Sequence, residues 1–449
     1  MTTRPLAPDP LASRSGHGAG EPPAPARRFA PTRRLLVTVA LAGLVSLVAF
    51  TRLAVTQGGL YGSWVDVSVY REAVLAWASG APLYDLRYTP SVLPFTYPPF
   101  ALLPLGWLGL FDERTAARLT ALVNVAALVA VCRVSLRTAR PVRPGGLTAS
   151  AAGSWAVTLA VAGVAAWLEP VRLTVGYGQV NLVLALLVLV DTLVVPARWR
   201  GCLTGIAASV KLVPGIFLLF FLVTGQRRAA VRTVAAGVAS TLLAVAVAPG
   251  SSWHFWTSTA WHNTTGRAWF TANQSVTALA ERVLHDGPAA RPVTAVVTLA
   301  VLVVGALAVA GCWRAGWRLT AVSACGFVGL LVSPISWSHH WVWSVPMVLG
   351  LALEVRSRAA RALAWALLVV VAVGAHWFLP QWNDAELGWS WWMEVVGNLY
   401  GYLGLAAVGL LAVAGAPSLR RRAAAPAAGP GRTAPAQRPR QGSNLRPSD

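Results

Sequence analysis

The most chemically suggestive position in the sequence is an isolated carboxylate, Asp66, in the segment SWVDVSVYRE. It lies between two valines, and Tyr70 follows four residues later, so the two side chains share one face of a helix. A carboxylate in apolar surroundings has a raised proton affinity, which suits a base that takes a proton from an alcohol. The alternatives are a helix N-cap or an ion-pair partner for Arg71. We favour the base because further polar groups follow along the chain.

Three other ionisable groups interrupt or border apolar stretches. Lys211, the only lysine of the chain, lies in SVKLVPG, and His339 and His340 lie in SPISWSHHWVW. A cation in such a place is suited to bind phosphate, whereas the alternative is a lysine that extends to the membrane surface. Adjacent histidines on a helix cannot face one ligand, which argues against a two-histidine metal site. We expect at least one of them to bind phosphate or orient Asp66; the alternative is a hydrogen bond between helices.

Neutral amides form a third group. Gln179 and Asn181 open an apolar run in VGYGQVNLVL, and Asn273 and Gln274 lie in a tryptophan-rich segment, residues 249–292. Gln179 and Asn181 can hydrogen-bond a sugar or hold two helices together, and the sequence favours neither. An aromatic belt at a membrane interface is the commoner explanation for the tryptophans, but it does not explain the neighbouring amides.

The composition indicates which elements must position these groups. The chain has 449 residues, of which 56% are hydrophobic and only 12% are charged. Soluble domains carry about 25% charged residues, so a soluble enzyme is excluded, as is a disordered chain. The apolar runs are hydrophobic on all sides. We therefore predict an all-α polytopic membrane protein.

The apolar runs predict about twelve membrane helices. Residues 201–223 break at Lys211–Pro214 and have arginines at both ends, which indicates two half-length helices forming a hairpin. Residues 97–111 contain three prolines and are interpreted as a short interfacial helix. The other ten predicted spans are 35–55, 115–136, 151–168, 178–196, 229–248, 293–311, 319–335, 340–354, 361–379 and 395–416.

The arginines predict the orientation. The net charge is +21, but the arginines cluster between apolar runs and in the tails, which is typical of cytoplasmic loops beside anionic lipid rather than of nucleic-acid binding. This bias predicts cytoplasmic termini in the plasma membrane, with residues 1–33 and 417–449 as disordered tails around a membrane domain, 34–416. The opposite, outer face then collects most of the Trp, His, Asn and Asp residues, in segments 56–114, 169–178, 249–292, 336–340 and 380–394.

These residues form an ordered set that resembles a known family. The motifs are D-x3-Y, G-x-P-L-Y, F-x-Y-P-P-F, G-Y-G-Q-V-N-L, K-x-x-P, N-Q-S and S-P-I-S-W-x-H-H. In this order they resemble glycosyltransferase family 87 (GT87), over residues 35–416. The family belongs to the GT-C glycosyltransferases and includes the polyprenyl-phosphate-mannose-dependent α-1,2-mannosyltransferases of actinobacteria.

The resemblance implies a function for each group. The fold would be of GT-C type with periplasmic loops, and the enzyme would move a hexose, mannose above all, from a polyprenyl monophosphate to a glycolipid or glycan hydroxyl with inversion. Asp66 matches the family's base, and His339 or His340 matches its histidine near the donor phosphate, which Lys211 would also bind. The expected sugar and acceptor contacts are Tyr70, Tyr97, Gln179, Asn181, Asn273, Gln274 and Trp337.

Other functions are less well supported by the sequence. A transporter or flippase of lipid-linked sugars would carry paired ionisable residues deep in several spans, whereas here they cluster at one face. A purely structural membrane protein leaves the outer amides and histidines unexplained. The sequence has no nucleotide-binding glycine motif and no DxD-type carboxylate pair, so we expect no cofactor and no metal.

Overall fold

The structure, a computed structural model, describes residues 32–56, 64–88, 93–139, 151–261 and 266–423. Helices account for the regular structure of these residues, together with two isolated β-bridges. The α-helices are α1 Arg33–Thr56, α2 Val65–Ala78, α3 Leu102–Leu105, α4 Glu113–Thr138, α5 Ala151–Ala165, α6 Glu169–Tyr177, α7 Asn181–Leu193, α8 Cys202–Val210, α9 Phe217–Val223, α10 Arg227–Val247, α11 Pro249–His254, α12 Val276–Val283, α13 Ala290–Ala315, α14 Arg318–Val332, α15 Ser344–Leu353, α16 Arg358–Val373, α17 Trp391–Gly397 and α18 Leu399–Ala423.

The all-α membrane fold predicted from the sequence is confirmed. Five of the described helices, α1, α4, α10, α13 and α18, are long and apolar enough to cross a membrane, and the bent pair α5–α6 would make a sixth. Each of the ten predicted spans contains a helix, but several are short, such as α7 and α14. The number twelve therefore stays a prediction. Residues 97–111 form a short broken helix, Pro99–Leu110, as expected from their prolines.

Two boundaries differ from the sequence prediction. Residues 169–178 were expected to be a loop, but Glu169–Tyr177 forms α6, which turns by 78° from α5. Pro170 at the first turn of α6 has no N–H to leave unpaired, so it favours a helix start at this bend. At the C-terminus, α18 passes through Pro417 and ends at Ala423, beyond the predicted boundary at residue 416. The rest of both predicted tails, residues 1–31 and 424–449, lies outside the described residues.

The predicted hairpin in residues 201–223 is present. Arg200 Nη1 donates to Gln226 Oε1 at 2.9 Å, so the two ends of the hairpin lie side by side. Lys211 lies at the turn between α8 and α9. Asp191, at the end of α7, closes the base of the hairpin. Its fully buried carboxylate accepts hydrogen bonds from Gly201 N and from Thr204 N and Oγ1.

Helix packing agrees with the alternation of directions inferred from the arginines. Gly43 of α1 lies against Leu159 of α5, and one turn later Ser46 Oγ donates to Gly163 O at 2.8 Å, so α1 and α5 run parallel. Helices α13 and α18 are also parallel, because Gly311 meets Gly415 near the C-terminal ends of both. The side of the membrane to which each end points stays a prediction.

Candidate active site

A large cavity lies where the segments that were predicted to form the outer face converge. Its volume is about 790 Å³, within the range of ~300–1,000 Å³ that is usual for ligand pockets. The start of α2, the α6–α7 connection and the hairpin tip form one side of it. Residues 266–272, 333–340 and 377–386 complete its lining. The predicted residues that line it are Asp66, Tyr70, Tyr97, Gln179, Lys211, Trp337, His339 and His340.

The α6–α7 connection brings an amide to the predicted base. Gly178 ends α6 with a φ of 74°, a conformation that glycine adopts without strain. A Cβ atom on Gly178 would lie 2.7 Å from Val67 Cβ, so only glycine allows this connection to pack against the first turn of α2. As a result the Gln179 side chain forms a hydrogen bond with the Asp66 carboxyl group.

Asp66 has the surroundings expected of a base. Burial raises the pKa of its carboxyl group to about 6, and the hydrogen bond from Gln179 and the charge of Lys211 oppose this rise. Neither structural alternative holds. The N-cap of α2 is Trp64, and Arg71 pairs instead with Glu72, at 2.7 Å. Helix α2 is not among the described helices that are long and apolar enough to cross a membrane.

Two tyrosines and an amide form a polar network beside Asp66. The hydroxyl oxygens of Tyr70 and Tyr97 lie 2.7 Å apart, and both hydroxyls also lie 2.9 Å from Gln179 Oε1. All three side chains are buried. Because the Gln179 amide oxygen accepts from the two tyrosines, the amide nitrogen is the group that can donate to the Asp66 carboxyl group. The network therefore fixes the position of the carboxyl group.

Lys211 extends into the site rather than toward the membrane surface. Its Nζ donates to Asn181 Oδ1 at 3.0 Å and lies 3.1 Å from His340 Nε2. The ammonium group also lies 5.1 Å from the centre of the Tyr97 ring, within cation–π range. Asn181 itself does not line the large cavity. It holds Lys211 at the edge of a small apolar pocket of about 40 Å³ that adjoins Lys211 and His340.

The two histidines point in different directions. Their rings are perpendicular, with centroids 4.7 Å apart, and only His340 contacts Lys211. The His339 ring packs edge-on against Tyr177, and its buried Nε2 has no hydrogen-bond partner among the described residues. Both rings line the cavity. The His339 carbonyl oxygen accepts from Thr174 and Asn181, so α6 and α7 hold the histidine segment.

Sequence analysis missed a buried carboxylate behind the histidines. Glu169 is 1% exposed and accepts hydrogen bonds from Ser338 Oγ at 2.6 Å, Trp377 Nε1 at 2.7 Å and the Tyr400 hydroxyl at 2.8 Å. It thereby ties the residue before His339 to two distant parts of the chain. The signal was a lone Glu in the apolar context WLEPV, which is rarely accommodated without partners.

Asn273 and Gln274 do not line the cavity, contrary to the expected sugar contacts. Asn273 is fully buried: its Nδ2 donates to the carbonyls of Ala268 and Pro334, and its Oδ1 accepts from backbone N–H groups. Gln274 Nε2 donates to the carbonyls of Thr271 and Gly397. Both amides therefore hold the backbone behind the cavity. The sequence, in which amides lie beside tryptophans, does not indicate this function.

Aromatic and charged residues form another wall of the cavity. Trp337 lies there as predicted, packed edge-on against Phe270. Arg267, Trp269, Trp382, Asp384 and Glu386 also line this wall and were missed as site residues, because they come from two loops far apart in sequence. Residues 262–265 of the tryptophan-rich segment, including His262, lie outside the described residues. Among the described residues, no group of three or more His, Cys, Asp or Glu side chains is arranged to hold a metal ion.

Comparison with known proteins gives consistent matches. The model of glycosyltransferase family 87 matches residues 95–334. A polyprenol-phosphate-mannose-dependent alpha-(1-2)-phosphatidylinositol mannoside mannosyltransferase of Mycobacterium tuberculosis is 33% identical over 382 residues, 81% of this chain and 89% of that protein. A polyprenol-phosphate-mannose-dependent alpha-(1-2)-phosphatidylinositol pentamannoside mannosyltransferase of Mycolicibacterium smegmatis is 32% identical over 405 residues, 87% of this chain and 93% of that protein.

One solved structure is similar at a lower level. It is ArnT from Cupriavidus metallidurans bound to undecaprenyl phosphate, with 16% sequence identity and a TM-score of 0.38. The match covers 88% of this chain and 79% of that chain. At this TM-score the similarity is too low to establish a shared arrangement of helices.

Proposed function

Because this chain belongs to glycosyltransferase family 87, we propose that it transfers a mannosyl group from a polyprenyl monophosphate to a hydroxyl of a glycolipid. The relatives are named as polyprenol-phosphate-mannose-dependent mannosyltransferases, which supports both the donor and the sugar. The observation that carries the proposal is the cavity that Asp66, Lys211, His339 and His340 line together. A base and a phosphate-binding cation are the two groups that this reaction needs.

The chemistry follows from these positions. Asp66 takes the proton from the acceptor hydroxyl, and that oxygen attacks the anomeric carbon from the face opposite the phosphate. The bond between this carbon and the phosphate oxygen breaks, and its electron pair stays on the phosphate. No protein acid is required, because the lipid phosphate leaves as a stable anion. Inversion to an α-linked product requires a β-linked donor.

Lys211 and His340 form the phosphate side of the site. Asn181 Oδ1 and the His340 ring contact the ammonium group. These contacts hold Lys211 at the cavity wall. A phosphate oxygen bound to Lys211 forms a charge-assisted hydrogen bond, which is stronger than a neutral one. Leu212 and Val213 follow Lys211 on the cavity wall and provide apolar contacts for the first units of the prenyl chain.

The proposal includes an orientation. The active cavity faces the periplasm, and the arginine-rich helix ends and both termini face the cytoplasm of a plasma membrane. A transporter remains the alternative function, but the charged residues of the described long helices lie near their ends rather than at mid-membrane. The relatives are also transferases by name.

Reconstitution tests this function directly. The full chain is placed in liposomes with radiolabelled polyprenyl-phosphate mannose and phosphatidylinositol mannosides as acceptors, and products are separated by chromatography. We expect transfer from the lipid donor and none from a nucleotide-linked mannose. A protein that uses only the nucleotide sugar, or that moves the lipid donor across the bilayer without transfer, would contradict the proposal.

A further inference from the structure

The aromatic and charged wall of the cavity carries a second polar cluster that the proposed chemistry does not use. Arg267 forms an ion pair with Asp384, and Trp269 Nε1 donates to Asp384 Oδ1 at 2.9 Å. Glu386 lies beside them; it is 2% exposed, lines the cavity and accepts from Thr271 N at 3.2 Å. The cluster therefore presents both hydrogen-bond donors and acceptors to the cavity.

Aromatic rings surround this cluster. Phe270 lies at its centre, with ring centroids 5.0 Å from Trp382, 6.1 Å from Trp337 and 6.5 Å from Trp377. All four residues line the cavity. Although it lines the cavity, Trp382 is 66% exposed, so much of its ring surface is accessible to a ligand. Flat aromatic faces beside charged groups suit a ligand that is apolar on its ring faces and polar at its edges.

The backbone that carries the cluster is held in an unusual conformation. Trp382, Asn383 and Asp384 have φ values of 74°, 50° and 64°, which non-glycine residues rarely adopt. Such residues cost about 1–3 kcal/mol each and persist only where the surrounding structure holds them. The ion pair to Arg267 and the contact of Trp382 with Phe270 are the interactions that hold them here.

We propose that this cluster, Arg267, Trp269, Trp382, Asp384 and Glu386, binds the terminal sugar ring of the acceptor glycolipid. The proposal rests on the transferase function above and names the acceptor side of the same cavity. Charge decides between the two substrates. Arg267 is paired with Asp384, and the further carboxylate of Glu386 repels a phosphate, whereas Lys211 elsewhere on the cavity wall attracts one. An uncharged polyol gains from the carboxylates, because its hydroxyls donate hydrogen bonds to them.

The experiment measures sugar binding and transfer separately. Purified full-length protein is titrated with radiolabelled octyl α-mannoside below its micelle concentration in equilibrium dialysis. We compare Trp382→Ala with Trp391→Ala, a matched control on α17 that is 79% exposed and does not line the cavity. Loss of a ring contact predicts about threefold to tenfold weaker binding for Trp382→Ala and unchanged binding for the control.

Transfer kinetics in liposomes complete the test. Trp382→Ala and Asp384→Asn should raise the KM for the acceptor while leaving the KM for the lipid donor within twofold, because these residues lie away from Lys211. If the wild type does not bind the mannoside, or if Trp382→Ala binds it as well as Trp391→Ala does, the acceptor site is refuted even when transfer is normal. If mannoside binding depends on Trp382 but no transfer occurs, the sugar site stands and the proposed reaction fails.

Discussion

The proposed base makes a specific prediction about pH. Burial raises the pKa of Asp66 to about 6 from an ordinary value of 3.8. A base acts in its deprotonated form, so activity should rise with pH, with a midpoint near 6, and be lost as the pH falls through that value. Replacing Asp66 with Asn keeps the size of the side chain and removes the basic group.

The magnitudes follow from this pKa. A carboxyl group with a pKa of about 6 is ~97% deprotonated at pH 7.5 and ~9% at pH 5, so kcat/KM should fall about tenfold over this range. With the ordinary pKa, the group would still be ~94% deprotonated at pH 5. A general base contributes about 10²- to 10⁴-fold in rate, so Asp66→Asn should raise the activation barrier by about 3–5 kcal/mol.

The assay is transfer from radiolabelled polyprenyl-phosphate mannose in liposomes between pH 5 and 8. Glu72→Gln is the matched control, because Glu72 is an acid on the same helix that lies outside the cavity and is about half exposed. It should keep the wild-type rate and pH midpoint. Asp66→Asn should unfold at no lower temperature than the wild type, because burial disfavours the charged carboxylate that it removes. Full activity in folded Asp66→Asn, or a wild-type profile that is flat down to pH 5, would refute the reasoning.

Three further variants test other parts of the site. Lys211→Met removes the phosphate-binding cation and should raise the KM for the lipid donor by about tenfold or more, with the acceptor KM unchanged in the liposome assay. Glu169→Gln disturbs the support of Ser338 and should lower kcat by about tenfold with little change in either KM, whereas unchanged kcat would deny it a positioning function. Asn273→Ala removes the hydrogen bonds between this side chain and buried backbone groups. It should destabilise the protein by about 2–4 kcal/mol, measured by thermal unfolding, while both KM values stay as in the wild type.

Sequence reasoning predicted the fold well where the signal is local. All-round hydrophobic runs identified the helices, and the break at Lys211–Pro214 with flanking arginines indicated a hairpin, whose ends Arg200 and Gln226 do meet. Helix α6 was missed because nine residues with a proline and two charged groups resemble a loop. Packing against the segment Ser338–Trp343 and against neighbouring helices stabilises this short helix.

The site was predicted only in part, because some of its residues have a local signal in the sequence and others do not. Asp66, Lys211 and the two histidines stand out because ionisable groups are rare in such surroundings, and the structure brings them to one cavity. The prediction that Asn273 contacts the sugar was wrong, because the sequence does not distinguish an amide that hydrogen-bonds the backbone from one that hydrogen-bonds a ligand. Asp384 was missed because its partner, Arg267, lies more than a hundred residues away, and no local pattern joins them.

A cryo-electron microscopy structure of the full chain with bound polyprenyl phosphate tests the central claim most directly. We predict that the phosphate lies within hydrogen-bonding distance of Lys211 Nζ and of at least one of the His339 and His340 rings, in the cavity that Asp66 also lines. A phosphate bound beside Asp384 and Glu386, or outside this cavity, would contradict the account.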